Sequence, residues 1–219
     1  MKIYDISRTL QEAPVYPGDE AAQITAQPER GGFRCSQIVA GSHCGTHADA
    51  FSHYLEDGLT IDAMPLEAYC GPCRVLTVGG SGGFITVDEL RGRIAGRERV
   101  VLHGGGSAYL CEEAAEYLSA CGVRLVVTDA LSIAPTDNEA PVHAILMQGG
   151  VGIVENAVLD GVPDGDYLIF AFPVKYGGCD GAPVRAVLVC EDEKAGDGRE
   201  TEVFSGAAGG MLDIPGTAD

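Results

Sequence analysis

The sequence predicts an α/β protein. Strand-like and helix-like segments alternate from about residue 74 to residue 189, which is the pattern of strands interleaved with packing helices. The length of 219 residues suits one domain with a substantial core, and no apolar run approaches the length of a membrane span. Taken in order, residues 74–78 form the first clear strand candidate. Thr86-Val87-Asp88-Glu89 follows as a capping box and predicts a helix through about Ile94. Residues 99–102 read as a short buried strand. Residues 112–120 have helical spacing, with Ala115, Tyr117 and Leu118 available for packing and Gly122 suited to the C-terminal end. Residues 123–128 are another apolar strand, residues 145–158 mix apolar residues with glycine, and residues 167–172 and 184–189 read as late strands. The first seventy residues are different: they are rich in Pro, Gly and turn residues, with no sustained helical period. Within them, Val15-Tyr16-Pro17-Gly18-Asp19 reads as a turn or extended arm.

Composition narrows the function. A formal net charge of −18 argues against nucleic acid and anionic membrane as partners. Part of that charge is local. Residues 191–219 carry eight acidic residues, from Glu191 to Asp219, against Lys194 and Arg199, and are rich in Gly and without periodicity. The expected organisation is therefore a domain over residues 1–190 and a flexible acidic tail over residues 191–219. The opening Met1-Lys2-Ile3-Tyr4-Asp5 lacks the basic-then-apolar pattern of a secretory signal, so a cytoplasmic location is expected. The eight cysteines are scattered, and most of them read as buried free thiols.

The segment from His43 to His53 is the most concentrated chemistry in the chain. His43, His47, Asp49 and His53 fall within it, although the whole sequence has only five histidines. Imidazole and carboxylate suit a borderline divalent cation such as zinc or manganese. Gly45 weakens a helical reading and is placed to bend the backbone. On an extended segment His47 and Asp49, two apart, point the same way. His53 either binds the metal or stands beside it as an acid/base group. Ligands from one segment rarely complete a catalytic centre. His143 and Glu155, each in an otherwise apolar stretch, are the best further candidates, because a buried ionised carboxylate is costly unless it is paired or binds a cation.

The pattern His43, Gly45-Thr46-His47, Asp49, His53 resembles the signature of the cyclase-like metal hydrolases, whose best understood branch is bacterial kynurenine formamidase. The likeness covers nearly all of residues 3–189. It includes Tyr4-Asp5-Ile6-Ser7, Pro14-Val15-Tyr16-Pro17-Gly18-Asp19, Asp57-Gly58-Leu59, Gly71-Pro72-Cys73-Arg74-Val75 and Ala182-Pro183-Val184-Arg185-Ala186-Val187-Leu188. The resemblance implies a swivelling β/β/α fold, a homodimer, and hydrolysis of a small-molecule amide by a metal-activated hydroxide. It implies two divalent metal ions per chain, zinc or manganese. His43, His47 and Asp49 would hold the first, His143 the second, and Asp49 and Glu155 would bridge them. His53 would be the proton carrier. The implied reaction converts N-formylkynurenine and water to kynurenine and formate, with isatin or another cyclic amide as the alternative substrate. Three positions depart from the pattern: Phe51 replaces a usual proline, Tyr16 replaces a substrate-stacking tryptophan, and His103-Gly104-Gly105-Gly106 replaces a usual Arg-Thr. Tyr16 and His103 are accordingly candidate substrate-pocket residues.

Two other motifs point elsewhere. Cys70-Gly71-Pro72-Cys73 has the spacing of a redox dithiol, but such a motif opens a helix, whereas a strand-like run follows here. Gly79-Gly80-Ser81-Gly82-Gly83 has the spacing of a serine nucleophile elbow, yet the helix cap falls at Thr86 rather than at the serine. Asp129 and Ser132 are candidates for supporting the metal site from behind.

Overall fold

A computed structural model describes residues 1–79 and 83–191. The strands are β1 (Lys2–Asp5), β2 (Gln23–Ala26), β3 (Ser36–Val39), β4 (His47–Asp49), β5 (Cys70–Thr77), β6 (Phe84–Ile85), β7 (Arg99–His103), β8 (Tyr109–Leu110), β9 (Leu125–Thr128), β10 (Gly152–Glu155), β11 (Gly165–Phe170), β12 (Gly181–Pro183) and β13 (Val187–Cys190). Three α-helices accompany them: α1 (Val87–Leu90), α2 (Glu112–Ala120) and α3 (Glu139–Gln148). Nine strands form one mixed sheet in the order β1-β13-β11-β5-β7-β9-β10-β4-β12. Strands β5, β7, β9 and β10 run parallel at its centre, and antiparallel strands flank them on both sides. The α/β class read from the sequence is the observed one, and among the described residues no helix is long and apolar enough to cross a membrane.

The centre of the sheet is buried on both faces, which is why β7, β9 and β10 read as continuous apolar runs. Side chains alternate between two cores. Val75, Val101, Val127 and Val154 pack on one face with Leu188, Ile169, Ala48 and Ala182 from the outer strands, so the sheet curls around this core. Leu76, Val100, Leu102, Val126 and Ile153 pack on the other face against Ala115 and Leu118 of α2 and Val142 and Leu146 of α3. The four parallel strands therefore present their C-terminal ends along one edge, the usual place for a binding site in such sheets.

Local structure follows the sequence with instructive exceptions. The capping box at Thr86 forms, with Glu89 returning to the Thr86 backbone. The helix it starts ends at Leu90 rather than Ile94, because Gly92 adopts φ +75° and turns the chain. Helix α2 covers the expected residues 112–120. Residues 184–189 do not form one strand: β13 starts only at Val187, since the Val184 amide bonds the Thr46 carbonyl and Ala186 bonds Ser7. Residues 145–158 divide into the end of α3 and β10. That helix had a readable start, with Pro141 in its first turn, where no backbone donor is needed, and Gly149-Gly150 at its end. The expected acidic tail and the serine of the glycine-rich run, Ser81, lie outside the described residues, apart from Glu191.

Candidate metal centre

Strand β4 places the first two functional side chains. Gly45 takes φ +73° and turns the backbone into the strand, as its position between the histidines suggested. His47 and Asp49 then lie on the same face of β4, which is inserted between β10 and β12. In this register His47 is paired with Glu155 at the C-terminal end of β10. His143 arrives from α3, whose buried face also carries Val142, Leu146 and Met147. The loop before β4 is tied to the end of β10. Thr46 Oγ1 donates to the Asn156 carbonyl at 2.8 Å and accepts from the Arg8 amide at 2.9 Å. Arg8 Nε donates to Asn156 Oδ1 at 2.6 Å, and Asn156 itself is buried in a left-handed conformation at φ +59°.

The two carboxylates lie between the imidazoles. Asp49 Oδ1 is 2.9 Å from His43 Nδ1 and 3.4 Å from His47 Nε2, while its Oδ2 faces His143 Nε2 at 3.5 Å. Glu155 Oε2 is 3.5 Å from His47 Nε2, and Oε1 is 3.2 Å from His143 Nε2. Each carboxylate thus has one oxygen toward His47 and the other toward His143. Ligand atoms of His47, Asp49 and Glu155 lie within 4.8 Å of one another, as do those of His43, Asp49 and His53. Asp49 is common to both groups.

The rings are held from behind. His47 Nδ1 is 3.0 Å from the Gly45 carbonyl and His143 Nδ1 is 2.8 Å from the Glu139 carbonyl. A carbonyl only accepts, so these outer nitrogens carry a hydrogen, and each ring is fixed with its Nε2 turned inward toward the carboxylates. Glu155 Oε1 is held by the Ile133 amide at 2.6 Å and by the Ser132 hydroxyl at 3.3 Å, the supporting role anticipated for Ser132. Tyr54 stacks on His143 with ring centroids 4.6 Å apart.

Electrostatics give the centre a clear demand. Burial disfavours an imidazolium at His47 and His143, but the hydrogen bonds of Asp49 and Glu155 outweigh it and push both up to about 10. Burial likewise opposes ionisation of Asp49, yet the surrounding histidines hold it well below the usual carboxylate range. Glu155 is lowered in the same way by His143 and His47 against burial and the Asp49 charge. Two buried carboxylates therefore require positive charge between them. Asp49 Oδ2 is also buried with no hydrogen-bond donor of its own among the described residues. This donor set fits a divalent cation bound by imidazole nitrogen and carboxylate oxygen.

The remaining sequence candidates fall at different distances from this centre. His53 stands beside it, its ring 4.0 Å from that of His43 and 6.2 Å from that of His143, and burial lowers its pKa. Tyr16 reaches α3, where its hydroxyl donates to Glu139 Oε2 at 2.7 Å. His103 lies at the end of β7, two strands from β10, with Nε2 3.7 Å from Asp129. No hydrogen bond or ion pair among the described residues joins it to the cluster. Asp129 does not support the cluster either; it accepts from the Gly104 and Gly105 amides at 2.9 and 3.0 Å. Those amides are consequently committed and form no oxyanion hole. Cys70 and Cys73 lie within β5 instead of opening a helix, and burial pushes the Cys73 thiol up to about 12, the reverse of what a redox thiol needs.

One site residue escaped the sequence reading. Asp180 precedes β12, and its Oδ2 is 3.1 Å from His43 Nε2 and 3.3 Å from His53 Nδ1. The only signal available was its position in the glycine-flanked run Gly177-Gly178-Cys179-Asp180-Gly181, which reads as an ordinary turn.

Fold and site together define an α/β protein with a largely buried three-histidine, two-carboxylate centre at the edge of its sheet. The family model described as putative cyclase matches residues 4–135. Kynurenine formamidase from Maricaulis maris is 37% identical over 203 residues, which cover 85% of this chain and 97% of that protein. A solved structure of a potential metal-dependent hydrolase with cyclase activity is 30% identical, with a TM-score of 0.74 over 85% of this chain and 96% of the other. An isatin hydrolase bound to the product analogue thioisatinate shares the fold at 19% identity, with a TM-score of 0.74 over 87% and 93% of the two chains. The chain belongs to the cyclase family.

Proposed function

We propose that this protein is a metal-dependent amide hydrolase that converts N-formylkynurenine and water to kynurenine and formate. The observation that carries the reading is the pair of buried carboxylates, each spanning from His47 to His143, with Asp49 Oδ2 lacking a donor. His43, His47, Asp49, His143 and Glu155 would hold two divalent cations, zinc or manganese, with Asp49 and Glu155 common to both. When bound, such cations supply Lewis acidity that polarises a carbonyl and acidifies water. The protein's own part is to fix the ligand rings by their outer nitrogens, to exclude bulk water, and to move a proton at His53. His53 would take a proton from the attacking water and return it to the leaving nitrogen. The 37% identity to kynurenine formamidase from Maricaulis maris over nearly the whole chain supports this substrate.

A second substrate class, isatin or another cyclic amide, is favoured by one feature. The chain has no tryptophan, and Tyr16 at the arm is bonded to Glu139 instead of standing free for stacking. A homodimer is proposed because the β2–β3 hairpin exposes Ile24, Phe33, Ile38 and Val39. Eight cysteines without a disulfide support a reducing, cytoplasmic compartment. The deciding experiment is turnover of N-formylkynurenine beside isatin, simple formamides and lactams, with metal analysis of the same preparation. Preferential hydrolysis of N-formylkynurenine by metal-loaded protein is expected. Preference for isatin would move the reading to cyclic amides, and full activity in metal-free, folded protein would refute it.

A further inference from the structure

We propose that Asp180 is a positioning residue that fixes the tautomer and orientation of His53 and so selects Nε2 as the nitrogen that carries the proton. This rests on the reading of His53 as the proton carrier. Asp180 is itself well anchored: Ser42 Oγ donates to Oδ1 at 2.9 Å, and the Asp180 carbonyl accepts from the Ala50 amide at 2.9 Å at the end of β4. Its other oxygen, Oδ2, faces His53 Nδ1 at 3.3 Å and His43 Nε2 at 3.1 Å. An ionised carboxylate has no hydrogen to give, so both facing nitrogens must carry one. The consequences differ for the two rings. In His43 the same argument holds at both nitrogens, because Nδ1 faces the ionised Asp49 Oδ1 at 2.9 Å, so its two carboxylate partners favour a hydrogen on each. In His53 the lone pair is left on Nε2, which no hydrogen bond holds among the described residues.

The arrangement also suits the proton transfer. When Nε2 takes a proton from the attacking water, the ring becomes a cation, and the Nδ1–H directed at a carboxylate stabilises it. As the carbon–nitrogen bond breaks, the Nε2 proton passes to the leaving nitrogen and the ring returns to its starting tautomer. Asp180 neither gains nor loses a proton. Because the same oxygen serves His43, it sets the spacing between a candidate ligand and the proton carrier, whose ring centroids are 4.0 Å apart.

The test compares Asp180→Ala, Asp180→Asn, His53→Ala and the double variant His53→Ala with Asp180→Ala, all full-length and reconstituted with zinc. Metal content, kcat and KM are measured, and the protonated nitrogen of His53 is read by nitrogen-15 NMR, assigned with His53→Ala. Asp180→Ala is expected to keep its zinc and lower kcat about 10- to 100-fold with little change in KM. Asp180→Asn, which keeps the volume and one acceptor without the charge, falls between and stands in if the alanine variant does not fold. The double variant should be no slower than His53→Ala alone. His53 should lose its fixed Nδ1–H in Asp180→Ala. Additive losses, an activity loss cured by excess zinc, or an unchanged His53 tautomer would each overturn the proposal. The NMR readout needs no substrate, so a wild-type protein inactive on N-formylkynurenine would strike the substrate reading and leave this one standing on the tautomer result.

Discussion

Replacing Gly181 with alanine tests whether the placement of His43 matters to the chemistry. Gly181 pairs with Asp49 across β12 and β4, and the His43 ring lies where a side chain at this position would enter. A Cβ at this position would stand 2.7 Å from His43 Cε1, 3.0 Å from Nε2 and 3.1 Å from the Ala48 carbonyl oxygen. Carbon atoms in contact prefer about 3.5–4.0 Å, so the ring has to retreat by about 1 Å. The Ala48 oxygen belongs to the strand backbone and cannot yield in its place. Displacement of the ring breaks the contacts of Nδ1 with Asp49 and of Nε2 with Asp180. Overpacking of this kind costs about 1–3 kcal/mol, which for a chain of this size lowers Tm by about 2–12 °C. A misplacement near 1 Å in a catalytic arrangement costs about 100-fold in rate. Gly181→Ala should therefore fold, melt somewhat earlier and lose far more activity than stability. The assay is kcat on whichever amide the wild type hydrolyses, with a melting curve and metal analysis on the same sample. Wild-type kcat with full metal content would refute the reasoning.

Three further outcomes follow from the same structure. Chelation should destabilise the protein, because a cation held at 100 times its Kd contributes about 2.7 kcal/mol per site. Tm should then fall by about 5–11 °C per site and recover on adding zinc or manganese; an unchanged melting curve would count against a buried metal centre. Cys73 should resist alkylation in the folded protein well above the ordinary thiol range, since burial raises its pKa to about 12. The folded state holds this proton longer than the unfolded chain, so the linked stability is intact below the ordinary thiol pKa and is lost as pH rises toward 12. Replacing Cys70 and Cys73 with serine should leave hydrolysis unchanged; rapid alkylation of Cys73 near neutral pH would contradict its burial.

Much of this protein was legible in one dimension because its chemistry is local. His43, His47, Asp49 and His53 are close in the chain, and the two-residue spacing of His47 and Asp49 correctly placed both on one face of a strand. The central strands could be read because they are buried on both faces and so are continuously apolar. Helix α2 could be read from its period and its terminal glycine. His143 and Glu155 were suspected from the cost of burying polar groups in apolar stretches, and the fold brings His143 Nε2 against one oxygen of Asp49 and one of Glu155. Helix α3 went unassigned because its apolar and glycine residues merge with β10 into one ambiguous run.

The sequence by itself determined the α/β class, the family and the donor types, since these depend on patterning and on neighbours along the chain. The tertiary structure alone decided how those donors divide. Only the register of β4 between β10 and β12 sets Asp49 and Glu155 between His47 and His143, so that two carboxylates each face two imidazoles. Only the approach of a loop more than a hundred residues away brings Asp180 against His43 and His53. A carboxylate in a glycine-rich turn carries no mark of its partners. What defines its role is the through-space distance of a hydrogen bond, and that distance exists only once the sheet has formed.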